Sequence, residues 1–286
     1  MRCLFTSDLH GRVARYEKLF ALLAERPPDA LFLGGDLLPG GVKTPGTVVA
    51  GCNDFVLDFL VPRCERLRRT LGDRYPAIYL ILGNDDPRLE EAAFLRGDEA
   101  GLWHYAHERR LPLGRFDVYG YAHVPPTPFL WKDWERYDVS RYVDPGCVSP
   151  EEGFRSVPVD PDVVRWSTIE RDLRSLAGVD DLSAAIFLFH SPPHDTDLDR
   201  AALDDVRVDH VPVDVHVGSI AIRRFLEERG PRISLHGHVH EATRLTGAWR
   251  ARVGRTHAFG GAHDGPELPL VSFDPEEPEA ATRELR

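Results

Sequence analysis

The chain has 286 residues, 42% of them apolar and 28% charged, as a soluble globular protein of one large α/β domain would have. Its formal net charge is −11, from 46 acidic and 35 basic side chains. That sign opposes binding to nucleic-acid backbones and anionic membrane surfaces. No apolar run approaches the roughly 18 residues of a membrane span. The N-terminus enters strand-like sequence with no signal-peptide core, so a cytoplasmic location is expected. Cys3, Cys52, Cys64 and Cys147 are scattered without CxxC spacing and read as free thiols.

In chain order, short apolar runs that suit buried strands are Cys3-Leu4-Phe5, Ala30–Leu33, Ala77–Leu82, Phe116–Gly120, Ala185–Phe189 and Ile233-Ser234-Leu235. Helical spacing lies between them. Val13, Tyr16, Leu19, Phe20 and Leu23 predict a helix that stops at Pro27-Pro28. Phe55 to Leu71 predicts a second, interrupted or kinked at Pro62. Ile169, Leu173 and Leu176 mark a third. Ile220, Ile222, Phe225 and Leu226 mark a fourth, with Ser219 as N-cap and Gly230-Pro231 at its end. Strand and helix alternate, so the fold class is α/β with helices flanking a sheet. Residues from about 123 to 161 and from 191 to 217 read as insertions within a domain spanning 1–275, and 276–286 as a frayed polar tail.

Metal-ligand residue types follow five of these runs. They are Asp8-Leu9-His10, Gly35-Asp36, Gly83-Asn84-Asp85-Asp86, His190, and Gly237-His238-Val239-His240. Carboxyl ends of strands are where α/β folds place their sites. In extended chain, residues two apart point the same way, so Asp8 with His10 and His238 with His240 would each offer two ligands to one site. This oxygen and nitrogen donor set suits Mn, Fe, Zn or Co better than Ca or Mg.

The ordered set resembles the calcineurin-like metallophosphoesterase superfamily, whose pattern is D-x-H, G-D, G-N-H-[DE], a lone His and G-H-x-H. The resemblance implies a two-sheet sandwich flanked by helices, with two divalent metals at one edge. Manganese is the first expectation, with iron, zinc, nickel or cobalt as alternatives. It implies that Asp8, His10 and His240 bind one metal, that Asn84, His190 and His238 bind the other, and that Asp36 bridges them. Asp36, Asn84, Asp85 and His10 are the residues expected to carry catalysis, with a hydroxide shared by the metals attacking the phosphorus in line.

One position departs from the pattern. The histidine that follows the asparagine in the family is Asp85 here. A carboxylate beside two cations is a poor proton donor and repels a phosphate dianion, which favours a diester over a monoester. Asp86 is expected to orient His10 or the backbone rather than to touch substrate. The expected substrate is a small-molecule or nucleotide phosphoester. A phosphomonoesterase or protein phosphatase of the same fold, a metal-free scaffold and a nuclease are the alternatives. Trp131 and Trp134 are read as pinning the first insertion rather than stacking on a base, and His216 as capping rather than contacting substrate. His194 and Asp195 are read evenly as pocket lining or a solvated turn, and the Arg63, Arg66, Arg68 and Arg69 cluster as a solvated helix face.

Overall fold

The computed structural model describes residues 1–40 and 53–286. Cys52 lies outside the described residues, and Cys3, Cys64 and Cys147 are free thiols.

The chain opens with β1 (Cys3–Thr6), α1 (Val13–Glu25) and β2 (Ala30–Gly34). A π-turn over Val56–Leu60 leads into α2 (Val61–Leu71). Pro62 sits in the first turn of α2, where it needs no amide donor, and the wider π-turn ahead of it accommodates its ring. Next come β3 (Ala77–Ile81), α3 (Glu91–Glu99), β4 (His104–Tyr105), β5 (Arg109–Leu113) and β6 (Phe116–Tyr121). The first insertion ends in α4 (Pro161–Trp166), followed by α5 (Ile169–Ala177) and β7 (Ala185–Phe189). The second insertion contains the hairpin β8 (Arg207–Val208) and β9 (Val211–Pro212). Then follow α6 (Ile220–Arg229), β10 (Ile233–His236), α7 (Ala242–Thr246), β11 (Arg250–Val253), β12 (Thr256–Gly260), β13 (Pro269–Phe273) and β14 (Thr282–Leu285).

The strands form two six-stranded sheets. One has the order β14-β13-β1-β2-β3-β4 and the other β11-β12-β10-β7-β6-β5. β7 shows why its apolar run is unbroken. Ile186 and Leu188 face the first sheet, while Phe187 and Phe189 pack on Ile169, Leu173 and Phe225 of α5 and α6. A strand covered on both faces has no polar side to show. Phe259 and Phe273 meet across the two sheets with ring centroids 5.7 Å apart. Leu19, Leu23, Leu67 and Phe94 carry α1, α2 and α3 onto the outer face of the first sheet. The result is the expected α/β sandwich.

One expectation changes. Residues 276–286 are not a frayed tail: β14 pairs antiparallel with β13, and Leu268 and Arg286 exchange both backbone hydrogen bonds, at 2.7 and 3.0 Å. The free edge of β13 offers a row of unpaired amides and carbonyls, so a polar segment of sufficient reach finds partners there. β5 is also a strand despite Pro112, because it is the sheet's edge, where a missing N–H costs little.

Candidate metal centre

β1, β2 and β3 run parallel, as do β7 and β10, and their carboxyl ends meet at one edge of the sandwich. Backbone bonds join the loops that leave them: Asp8 N–H to Gly35 O at 3.0 Å, His10 N–H to Asp36 O at 2.7 Å, and Gly237 N–H to His190 O at 2.9 Å.

Seven side chains converge there. Ligand atoms of Asp8, His10, Asp36 and His240 all lie within 4.8 Å of one another. His10 Nε2 is 3.0 Å from His240 Nε2, which is 3.1 Å from Asp8 Oδ1. On the other side of Asp36, His190 Nε2 lies 3.3 Å from Asp36 Oδ2 and 3.0 Å from Asn84 Oδ1. The His238 ring meets the His190 ring edge-on at 5.2 Å. The seven residues expected to hold metal are therefore in one place, with Asp36 between two groups.

The backbone reason differs from the expected one. Asp8, His10, Asp36 and His238 are not extended: their φ values are 58°, 47°, 51° and 72°. Residues with a Cβ rarely adopt this region, and such strain persists where surroundings over-determine it. The glycines make room for it. A Cβ on Gly83 would stand 2.3 Å from Asp36 Oδ1, and one on Gly237 would stand 2.5 Å from Asp8 Oδ2.

The donor set fits divalent metal. The His190 Nδ1–H donates to Gly34 O at 2.7 Å, which leaves Nε2 aimed at Asp36 and Asn84, the arrangement a ligating imidazole needs. Burial opposes a proton on His190, yet the Asp36 and Asp8 carboxylates push it up to about 10. Burial likewise opposes charge on Asp36, and His190 then His10 hold it down at about 2. Asp8 is held well below the usual carboxylate range by His240, His190 and His10 against the effect of burial. Burial, then His190, pushes His238 down to about 4. The field that draws a proton onto His190 is one that draws a cation.

Around these lie residues that the sequence reading missed or placed elsewhere. Arg15, on the buried face of α1, donates to Asp8 O at 2.6 Å and to Gly265 O at 2.6 Å. Nothing in the pattern marked it except a charge beside the apolar positions of α1. Asp86 takes the second of its two expected roles and orients backbone rather than His10. Its carboxylate accepts from Leu37 N–H, Leu38 N–H and Gly83 N–H at 3.1, 2.8 and 2.9 Å, which ties the Asp36 loop to the Asn84 loop. Trp134 is buried and donates from Nε1 to Asp86 O at 2.7 Å, so it does pin the first insertion, directly onto the site's support. Trp131 stays partly exposed. His216 neither caps α6 nor offers an anion site. Ser219 and Asp138 occupy that helix end, with Ile220 N–H to Asp138 Oδ2 at 2.7 Å, while His216 Nδ1 bonds Asp199 at 2.8 Å. His194 pairs with Asp214 at 3.3 Å, and Arg63 with Glu17 at 2.6 Å.

Two sheets facing each other with a histidine- and aspartate-rich edge define an α/β sandwich with a candidate metal centre. The family model for calcineurin-like phosphoesterases matches residues 1–242, and the chain belongs to that family, which is metal-dependent and hydrolytic. Two solved structures superpose on nearly the whole chain. One is 16% identical, with a TM-score of 0.59, covering 99% of this chain and 98% of its own. The other, TT1561 of Thermus thermophilus, is 17% identical, with a TM-score of 0.55 and coverage of 99% and 98%. At such identities the likeness bears on the fold alone. No curated protein matches the sequence. Among the described residues, no helix is long and apolar enough to cross a membrane.

Proposed function

We propose that the chain is a dinuclear metal-dependent phosphodiesterase acting on a small-molecule or nucleotide diester, with manganese as the first candidate metal. Asp8, His10 and His240 hold one ion, Asn84, His190 and His238 the other, and Asp36 stands between them. The observation that carries this reading is the position of Asp36, whose Oδ2 lies 3.9 Å from His10 Nε2 and 3.3 Å from His190 Nε2. One carboxylate thus faces both groups of donors. Two such ions, when bound, would supply Lewis acidity and bring the pKa of water toward neutrality. The protein's own share is positional: Asp86 and the glycines fix the loops, and His190 is locked in one tautomer by Gly34 O.

Asp85 supports the diester preference. Its side chain is 46% exposed, beside His10, so an incoming phosphate meets its charge. A diester carries one negative charge and is repelled less than a monoester dianion. Metal-stripped protein assayed with bis-p-nitrophenyl phosphate and p-nitrophenyl phosphate, with and without Mn²⁺, tests the reading. Metal-restored cleavage that favours the diester is expected. Cleavage independent of metal would refute the site, and a monoester preference would refute the role given to Asp85. Asp85→His at saturating metal is expected to raise monoesterase relative to diesterase activity; an unchanged ratio rejects that role.

A further inference from the structure

Asp85 occupies the position where the family pattern has a histidine, and its own bonds are unlike those of a group waiting for substrate. Its backbone N–H donates to Asp36 Oδ1 at 2.8 Å, which holds the residue against the centre of the site. Its Oδ1 accepts from Asn84 Nδ2 at 3.1 Å. Its other oxygen, Oδ2, lies 3.6 Å from His10 Nδ1.

Both neighbours are ligands in the reading proposed above, and both have two ends that must be told apart. An asparagine amide can present oxygen or nitrogen, and an imidazole can carry its proton on either nitrogen. Asn84 presents Oδ1 toward His190 Nε2, at 3.0 Å, because its Nδ2 is held outward by Asp85. His10 presents Nε2 toward His240 and Asp36, at 3.0 and 3.9 Å, with Nδ1 turned to Asp85. An ionised carboxylate accepts and cannot donate, so it selects the amide nitrogen of Asn84 and the protonated Nδ1 of His10. The 3.6 Å separation is longer than a hydrogen bond, and a shift of a few tenths of an ångström closes it.

We propose that Asp85 is a positioning residue that orients one ligand of each metal: it fixes the Asn84 amide with its oxygen inward and the His10 imidazole with Nδ1 protonated and the Nε2 lone pair inward. This role rests on the dinuclear reading and adds to it. Carboxylate partners of ligating histidines are worth about 10–100-fold in metal affinity when removed.

Zinc, which is diamagnetic, serves as the probe. Metal-stripped wild type, Asp85→Asn and Asp85→Ala are titrated with Zn²⁺ against a chromophoric chelator, and the zinc-loaded proteins are examined by ¹⁵N-histidine NMR. Expected is a His10 Nδ1–H, protected from exchange in wild type and lost to exchange in Asp85→Ala, with zinc affinity lower by about 10–100-fold. Asp85→Asn, which can accept from only one neighbour while opposing the other with an NH₂, is expected between the two. If Asp85→Ala is poorly folded, Asp85→Asn carries the test by the same two readouts. Two zinc ions bound with affinity changed less than twofold, or a His10 Nδ1–H equally protected in the variants, would overturn the role of Asp85 alone. Wild type that binds no zinc would overturn the metal site together with it.

Discussion

Asp86→Asn tests how the site is supported, because the structure says which hydrogen bond fails. Asp86 is fully buried, and its Oδ2 accepts from Gly83 N–H at 2.9 Å and Leu37 N–H at 3.1 Å, while Oδ1 accepts from Leu38 N–H at 2.8 Å. Burial, then the charge of Asp36, pushes this carboxyl up to about 8, against the pull of the three amides. The comparison is therefore made at a pH above that value, where the group is ionised. An asparagine keeps its oxygen where two amides converge and sets its NH₂ against the third, Leu38. One buried donor is then orphaned, at about 1–3 kcal/mol, and two charge-assisted bonds become neutral, at about 1 kcal/mol each. The sum is about 4 kcal/mol, which for a chain of this size lowers Tm by about 8 °C. Thermal unfolding followed by circular dichroism measures it, with zinc affinity measured in parallel, since the Asp36 and Asn84 loops lose their tie. Asp86→Ala orphans all three donors and is expected to lower Tm further. A Tm within about 2 °C of wild type and unchanged zinc affinity would refute the clamp.

Gly83→Ala puts a Cβ 2.3 Å from Asp36 Oδ1, 2.6 Å from Asp36 N and 2.7 Å from His190 Cε1, so Asp36 and His190 must move apart. Turnover is expected to fall about 100-fold, and activity within twofold of wild type would show that the loops yield. Asp36→Asn is expected to abolish turnover and reduce bound metal, checked by elemental analysis of the purified protein; wild-type turnover rejects the bridging role. Acid should destabilise the fold through imidazoles buried without charge. Burial, then Arg136 and Arg88, holds His107 down at about 3, and burial holds His236 down at about 4. Above an unfolded value of about 6.5 neither state of these histidines is protonated; below it only the unfolded chain takes the proton, so stability falls with pH until the folded value is reached. Each contributes up to about 1.4 kcal/mol per pH unit. Urea unfolding of metal-stripped protein between neutral pH and the folded values measures this slope, which His107→Gln should lower by one proton's worth; an unaltered slope would exclude His107 as a source.

By itself the sequence determined the strands that make the core and marked the residues that the structure gathers at one edge. Runs such as Ala185–Phe189 are apolar on both faces because helices and a second sheet cover them, and that composition is readable without coordinates. Those residues were legible because a metal site needs particular atoms, and Asp, Asn and His at five strand ends offer such atoms. What the pattern did not contain was whatever depends on partners distant in the chain. The segment after Pro275 is polar, and only the open edge of β13 makes it a strand. Asp8, His10 and His238 were expected in extended chain, and the tertiary structure holds them, and Asp36 with them, at positive φ, because loops packed together over-determine their backbones. Asp86 was recognised as support, yet which groups it supports was decided by three amides, two of them almost fifty residues away. Spacing along the chain records local geometry, and these assignments follow from loops that meet only when both sheets have closed.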